Sequence, residues 1–261
     1  MNFFLKLFGS KQTQNAEIEN EFQAKKIALE TTNLKKEFDE ICKEAIIPFF
    51  KEIGFKRKTL HFTRQINDIT QCFNVQKSKW NSYNDSVTFT FNFGFYNEDI
   101  SSFVAESEIN NDFPKTSDCF IQNRLGFFSH QRDHWYTITK NIDSTTTAEN
   151  IKSDLEKYLK PIFESYTSLE TLKQFIEKDE KYISPTLSAY YIIAFYMLTN
   201  QKEKGQQTIK EQYINSLTPQ TLTDTIVLPD GTRQEKIRTH INQHFIDAMK
   251  KLADKYEVNL Q

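Results

Sequence analysis

The chain has 261 residues, 38% hydrophobic and 26% charged, with 23 Phe and 11 Tyr, a globular composition long enough for one large domain or two modest ones. Its 33 basic and 35 acidic side chains give a net charge of −2, which excludes a global electrostatic pull toward nucleic acid or membrane and leaves only a local patch open. Cys42, Cys72 and Cys119 are odd in number, widely spaced and without a CxxC pair, so neither a disulfide framework nor a zinc knuckle is expected, and the setting reads as reducing and cytoplasmic.

The first residues, "MNFFLKLFGSKQ", hold an apolar run that Lys6 interrupts and no small-residue cleavage site follows; it is too short for a signal peptide. Phe3, Phe4, Leu7 and Phe8 form either one face of a turn that touches a membrane surface or a terminal segment docked on the body. Ile18, Phe22, Ile27 and Leu29 are then scattered through polar sequence, and residues 1–32 read as an amphipathic helical extension. No transmembrane segment is expected.

Over 33–53, Leu34, Phe38, Ile41, Cys42, Ala45, Ile46, Phe49 and Ile53 recur at three- and four-residue intervals, which predicts a helix with one buried face. Pro48 predicts a kink or restart, and Gly54 a left-handed cap at its end. The period then changes to two: Leu60, Phe62 and Ile66 alternate with polar residues, as do Ile69, Phe73 and Val75. In the next strand Val87, Phe89, Phe91, Phe93 and Phe95 point one way and Thr88, Thr90, Asn92, Gly94 and Tyr96 the other. "NSYND" between these strands has the chemistry of a tight reversal and predicts an antiparallel hairpin. "DCFIQNRLGFF" and "HWYTIT" read as a mixed apolar segment and a further strand, and Thr146 with Glu149 as a capping box for a helix through Ile151, Leu155, Leu159 and Ile162.

From residue 167 strand signals nearly vanish. Thr167 with Glu170, and Ser184-Pro185, read as helix starts; the stretches around Tyr190 to Leu198 and Ile209 to Leu217 read as a helical hairpin. That hairpin is similar to one unit of a tetratricopeptide array, although a single copy is not an array. "LPDGT" predicts a turn, and Ile237, Ile241, Phe245, Ala248, Leu252 and Tyr256 the stripe of a long last helix. The expected fold is α+β: an N-terminal helix on an antiparallel sheet of about four to five strands over 33–166, then an all-helical C-terminal unit over 167–261.

The stretches "FFKEIGFKRKTLHFTR", "FNVQKSKW", "VTFTFNFGFY", "CFIQNRLG" and "HWYTI" together resemble the bacterial domain-of-unknown-function family numbered 4304, over roughly residues 35–163. The resemblance rests on Gln-Lys-Ser-x-Trp followed by Phe-x-Asn-x-Gly and implies a fold relationship; it carries no reaction and no catalytic residue.

With Phe73 and Val75 toward the core, Asn74, Gln76, Ser78 and Trp80 face the other side, joined there by Asn92 and Tyr96. An antiparallel sheet commonly has one wet face, so this polarity by itself is ordinary. The density of amides, the flat surfaces of Trp80 and Tyr96 and the cations Arg57, Arg64, Lys77 and Lys79 are also the ingredients of a recognition surface. Structural support and recognition both remain open for this stretch.

Motifs for chemistry are wanting. His240/His244 and His130/His134 have the i, i+4 spacing of one helical face, but "HINQH" and "HQRDH" lack the glutamate a metalloprotease helix places after its first histidine. No Gly-rich phosphate loop and no G-x-S-x-G elbow occur. No catalytic residue, metal or cofactor is assigned. The expected function is a non-enzymatic, macromolecule-binding protein, an immunity-like partner of a toxin being one form, with a protein the expected partner and nucleic acid a weaker one. The alternative is an enzyme acting on a phosphorylated or nucleic-acid substrate at the same face.

Overall fold

A computed structural model of the chain describes residues 34–141, 143–178 and 188–261. The extension expected over 1–32 and the Ser184-Pro185 helix start lie outside the described residues.

The first predicted helix comes in two parts. Helix α1 (Leu34–Ile41) continues through a π-helical turn (Cys42–Ile46) into α2 (Ile47–Glu52), and Pro48 explains why. A proline has no N–H for the carbonyl four residues back, and its ring collides with that carbonyl. The wider turn shifts the register beforehand, so that the Ile47 N–H donates to the Cys42 carbonyl five residues back and Pro48 enters at the start of a new α segment. Gly54, at φ +84°, ends the helix as predicted.

Strands β1 (Lys56–Lys58), β2 (His61–Ile66), β3 (Ile69–Lys77) and β4 (Ser86–Tyr96) follow. Next come α3 (Glu98–Ala105), β5 (Ile121–Arg124), α4 (Leu125–Ser129) and β6 (Tyr136–Thr139). The six strands form one antiparallel sheet in the order β1-β2-β3-β4-β5, and β6 also pairs β4, with Ser86 opposite Thr139 and Phe89 opposite Tyr136. The α+β class read from the sequence is the observed one.

Helix α5 (Ser144–Asp154) starts earlier than the Thr146/Glu149 box predicts, because Asp143 takes the cap: its carboxylate accepts the Thr145 N–H at 3.0 Å and the Thr146 hydroxyl at 3.0 Å. A second π turn (Leu155–Leu159) then precedes Pro161, with the Lys160 N–H donating to the Leu155 carbonyl, and leads into α6 (Lys160–Ser165). The same solution serves both prolines.

The remaining elements are α7 (Leu169–Lys178), α8 (Ala189–Leu198), α9 (Lys202–Ser216), strands β7 (Gln220–Val227) and β8 (Arg233–His240), and α10 (Gln243–Lys255). The region is helical with one departure: the long last helix does not begin at Ile237. Residues 220–240 form an antiparallel hairpin with the predicted turn at its tip, where Gly231 takes φ +83°. Thr221, Thr223, Thr225, Ile226 and Val227 are β-branched and favour extended backbone. Ile237, read as part of a buried stripe, is 68% exposed.

The chain forms two compact units. In the first, residues 34–64, 72–93 and 123–165, the Phe side of β4 is the core: Phe38 packs on Phe89 at 5.1 Å between ring centroids, Phe50 on Phe73 at 4.2 Å and Phe73 on Phe91 at 5.4 Å. Each such buried side chain contributes about 1.5–3 kcal/mol of transfer free energy, so packing rather than intrinsic propensity holds helices as short as α1 and α2. The second unit comprises residues 65–71 and 94–122 with the chain from 166. In it Phe95 meets Tyr166 and Phe175, while α8, α9 and α10 close over Ile193, Ile209, Met249 and Leu252. Among the described residues no helix is long and apolar enough to cross a membrane.

Candidate functional site

Period-two alternation places Asn74 and Gln76 of β3 beside Asn92 of β4 on the side away from the Phe core, and the structure brings these three predicted residues together. The Asn92 Nδ2 donates to Asn74 Oδ1 at 3.1 Å and to Gln76 Oε1 at 2.9 Å. Arg124, the last residue of β5, donates its Nε to Asn92 Oδ1 at 3.2 Å, while its Nη1 pairs with the Asp133 carboxylate. The guanidinium lies 5.3 Å from the centroid of the Trp135 ring, and the Trp135 Nε1 donates to the same Asp133 carboxylate at 3.3 Å. Amides, guanidinium, carboxylate and indole thus form one connected network within the first unit. Arg124, Asp133 and Trp135 were missed in the sequence because they join the face only through the pairing of β5 and β6 with β4; the available signal was charge and aromatic residues interleaved in "QRDHW".

The other predicted residues lie elsewhere. Arg64 is committed to main chain, with its Nη1 donating to the Ile53 carbonyl at 2.6 Å and its guanidinium 5.0 Å from the Phe55 ring. Arg57 is exposed on β1. Lys77 shares the parity of Phe73 and Val75 and turns to their side, its Nζ 3.2 Å from the Tyr83 hydroxyl and 5.5 Å from the Phe38 ring. Ser78 accepts the Trp80 N–H on its Oγ at 3.2 Å, and Trp80 itself is 81% exposed, with Lys79 Nζ 4.9 Å from its ring.

Tyr96, expected on the wet face, is only 4% exposed, a correction whose cause is the backbone that crosses β4 at Gly94. A Cβ at Gly94 would lie 2.5 Å from the Ile121 carbonyl oxygen and 2.8 Å from the Cys119 Cβ. In the first unit Thr90 is likewise covered, its Oγ1 donating to the His134 carbonyl at 2.8 Å. Of the predicted face, the part around Asn74, Gln76 and Asn92 keeps contact with water.

Neither histidine pair sits on one helical face. His240 ends β8 and His244 lies in α10. His130 and His134 follow α4, and Gly126 lets the chain return over it: a Cβ there would lie 2.5 Å from His134 N and 2.9 Å from the Arg132 carbonyl oxygen. The two imidazoles stack with centroids 3.7 Å apart and planes 8° from parallel. His134 meets Tyr136 edge-on at 4.7 Å, and the Tyr136 hydroxyl donates to Asp154 Oδ2 at 2.5 Å. Burial, reinforced by the charge of His130, holds His134 below the ordinary histidine pKa. Burial also pushes the Tyr136 phenol well up, and the Asp154 carboxylate adds to this. These residues, with Trp135 and the exposed edge of α5, line a pocket of about 470 Å³.

The three thiols are buried, and burial pushes Cys42 up to about 12, so Cys42 is not an activated nucleophile. Among the described residues no three His, Cys, Asp or Glu side chains converge to hold a metal ion.

No curated protein and no solved structure matches the chain. Over residues 46–165, the segment that holds both the Asn92 network and the His130/His134 pocket, the chain matches the model of the family described as Domain of unknown function (DUF4304).

Proposed function

We propose that this chain is a binding protein that recognises another protein through its first unit, works in a reducing cytoplasm and performs no chemistry at the polar face. The observation that carries the reading is Trp80: an indole 81% exposed on a turn that is firmly held. Asn81 fixes that turn by pairing with both backbone groups of Thr88, its Nδ2 donating to the carbonyl at 3.0 Å and its Oδ1 accepting the N–H at 2.8 Å. A large aromatic surface left in water on ordered backbone is the usual form of an interface anchor, and a turn already fixed loses little entropy on binding. An immunity-like partner of a toxin is one concrete form of this function.

The competing reading, an enzyme acting on a phosphorylated or nucleic-acid substrate at the same face, has less support. Asn92 commits both its donors and its acceptor to Asn74, Gln76 and Arg124, and Arg64 donates to main-chain carbonyls. Groups so engaged are poorly placed to stabilise charge developing on a substrate.

The test is capture from native-host lysate with the unmodified chain and with a folded Trp80→Ala variant. Loss of a specific protein partner from the variant is the expected result. An unchanged set of captured proteins would refute the reading, and capture of nucleic acid with a steep loss of affinity in salt would replace it.

A further inference from the structure

We infer that the pocket beside the stacked imidazoles binds a guanidinium group, as carried by an arginine side chain. The walls determine the class. Aromatic surface comes from His134, Trp135 and Tyr136; a carboxylate comes from Asp154, with Asn150 and Ser153 adding polar groups from the same helix. Among the described residues, none of those lining the pocket is Lys or Arg. An aromatic wall next to a carboxylate attracts a cation through the negative ring face and the full charge together, whereas an anion would meet the Asp154 carboxylate.

The geometry narrows the cation further. The stacked imidazoles lie 8° from parallel at 3.7 Å, so the lone pairs of their nitrogens run in neighbouring parallel planes and do not converge on one metal ion. The Tyr136 hydroxyl occupies Asp154 Oδ2 at 2.5 Å, which orients the carboxylate and leaves Oδ1 to accept from a ligand. A planar guanidinium stacks on flat rings in a way that a compact ammonium does not. The chain itself shows the arrangement a short distance away, where the Arg124 guanidinium lies over Trp135 and pairs with Asp133. At about 470 Å³ the pocket has room for the guanidinium, its alkyl stem and part of the flanking backbone, and falls within the usual range for ligand sites.

The test titrates the full chain with N-acetyl-arginine methylamide and with its neutral isostere N-acetyl-citrulline methylamide, reading the Trp135 indole N–H and the His134 ring by NMR. The expected result is saturable binding of the arginine compound and at least tenfold weaker binding of the citrulline one. Asp154→Asn keeps an acceptor for the Tyr136 hydroxyl and is expected to lose at least tenfold in affinity for the arginine compound. Agmatine distinguishes the sources of the group: affinity equal to that of the peptide mimic identifies a free guanidine, and weaker affinity identifies an arginine side chain. Equal binding of the arginine and citrulline compounds, or preferential binding of inorganic phosphate, overturns the inference. That comparison uses the unmodified chain and does not depend on how the variant folds. Because the partner reading rests on Trp80 and is tested by capture, either can fail while the other stands.

Discussion

Replacing Asn92 with Ala tests whether the polar network is built or merely solvated. The side chain donates twice and accepts once. A neutral hydrogen bond contributes about 0.5–1.5 kcal/mol net, and one to a charged group, as with Arg124, about 1.5–3 kcal/mol. Asn74, Gln76 and Arg124 are partly exposed and regain water when Asn92 is truncated, which brings the expected loss below the sum of the three bonds, to about 1.5–2.5 kcal/mol. Urea unfolding followed by far-ultraviolet circular dichroism measures it. A double-mutant cycle with Arg124→Met should give a coupling of about 1 kcal/mol, since the two side chains touch. A loss below about 0.5 kcal/mol, the ordinary range for a solvated surface position, or a coupling indistinguishable from zero, would refute the reasoning and reduce the cluster to a set of independent wet side chains.

Gly126→Ala should cost about 1–3 kcal/mol, because the added Cβ meets backbone atoms of His134 and Arg132 that move only with their loop; ring-current shifts of His130 and His134 should change with it, and an unaltered spectrum would contradict the close approach. His134 should titrate below the ordinary histidine value. A histidine held neutral in the native state contributes stability that is present above its unfolded pKa and lost as pH falls through the lower folded one, so acidification should weaken the fold in that interval; an NMR titration placing His134 at or above the ordinary value would contradict this. Cys42, with its thiol at about 12 and its side chain buried, should resist iodoacetamide at pH 8.5 in the native protein and react after denaturation, as mass spectrometry would show. Trp80→Ala should change stability by less than about 0.5 kcal/mol, since the ring is mostly in water; a larger loss in thermal unfolding would mean that the indole supports the fold.

Local periodicity made most of the fold legible. The alternation from Val87 to Phe95 is visible in consecutive letters of the sequence, and it names the core residues of β4 correctly. Asn74, Gln76 and Asn92 were found together for the same reason, since parity alone puts them on one face once β3 and β4 pair. What parity does not carry is coverage. Tyr96 has the parity of Asn92, yet it is buried because chain more than 20 residues on crosses at Gly94. Arg124, Asp133 and Trp135 enter through strand pairings set over similar distances, which no short window contains. The hairpin at 220–240 was missed for the opposite reason: Ile237 and Ile241 fit a helical spacing on to Phe245, and that spacing outweighed the β-branched residues preceding the turn.

The two π turns bear on how this protein tolerates change. One surplus residue in a helical turn alters the phase of everything after it by about 100°. The stripe extrapolated through 33–53 as a regular helix accordingly selects Ile53 and passes over Phe50, which the fold buries completely while leaving Ile53 partly in water. Pro48 and Pro161 act as phase markers, because each forbids the unshifted helix its next hydrogen bond. The chain segments around them should therefore accept a change of side chain more readily than a change of length. A single deletion between 42 and 46 would restore regular α-helical counting ahead of Pro48, return the proline ring to a carbonyl it cannot approach, and place the defect at the base of the aromatic core.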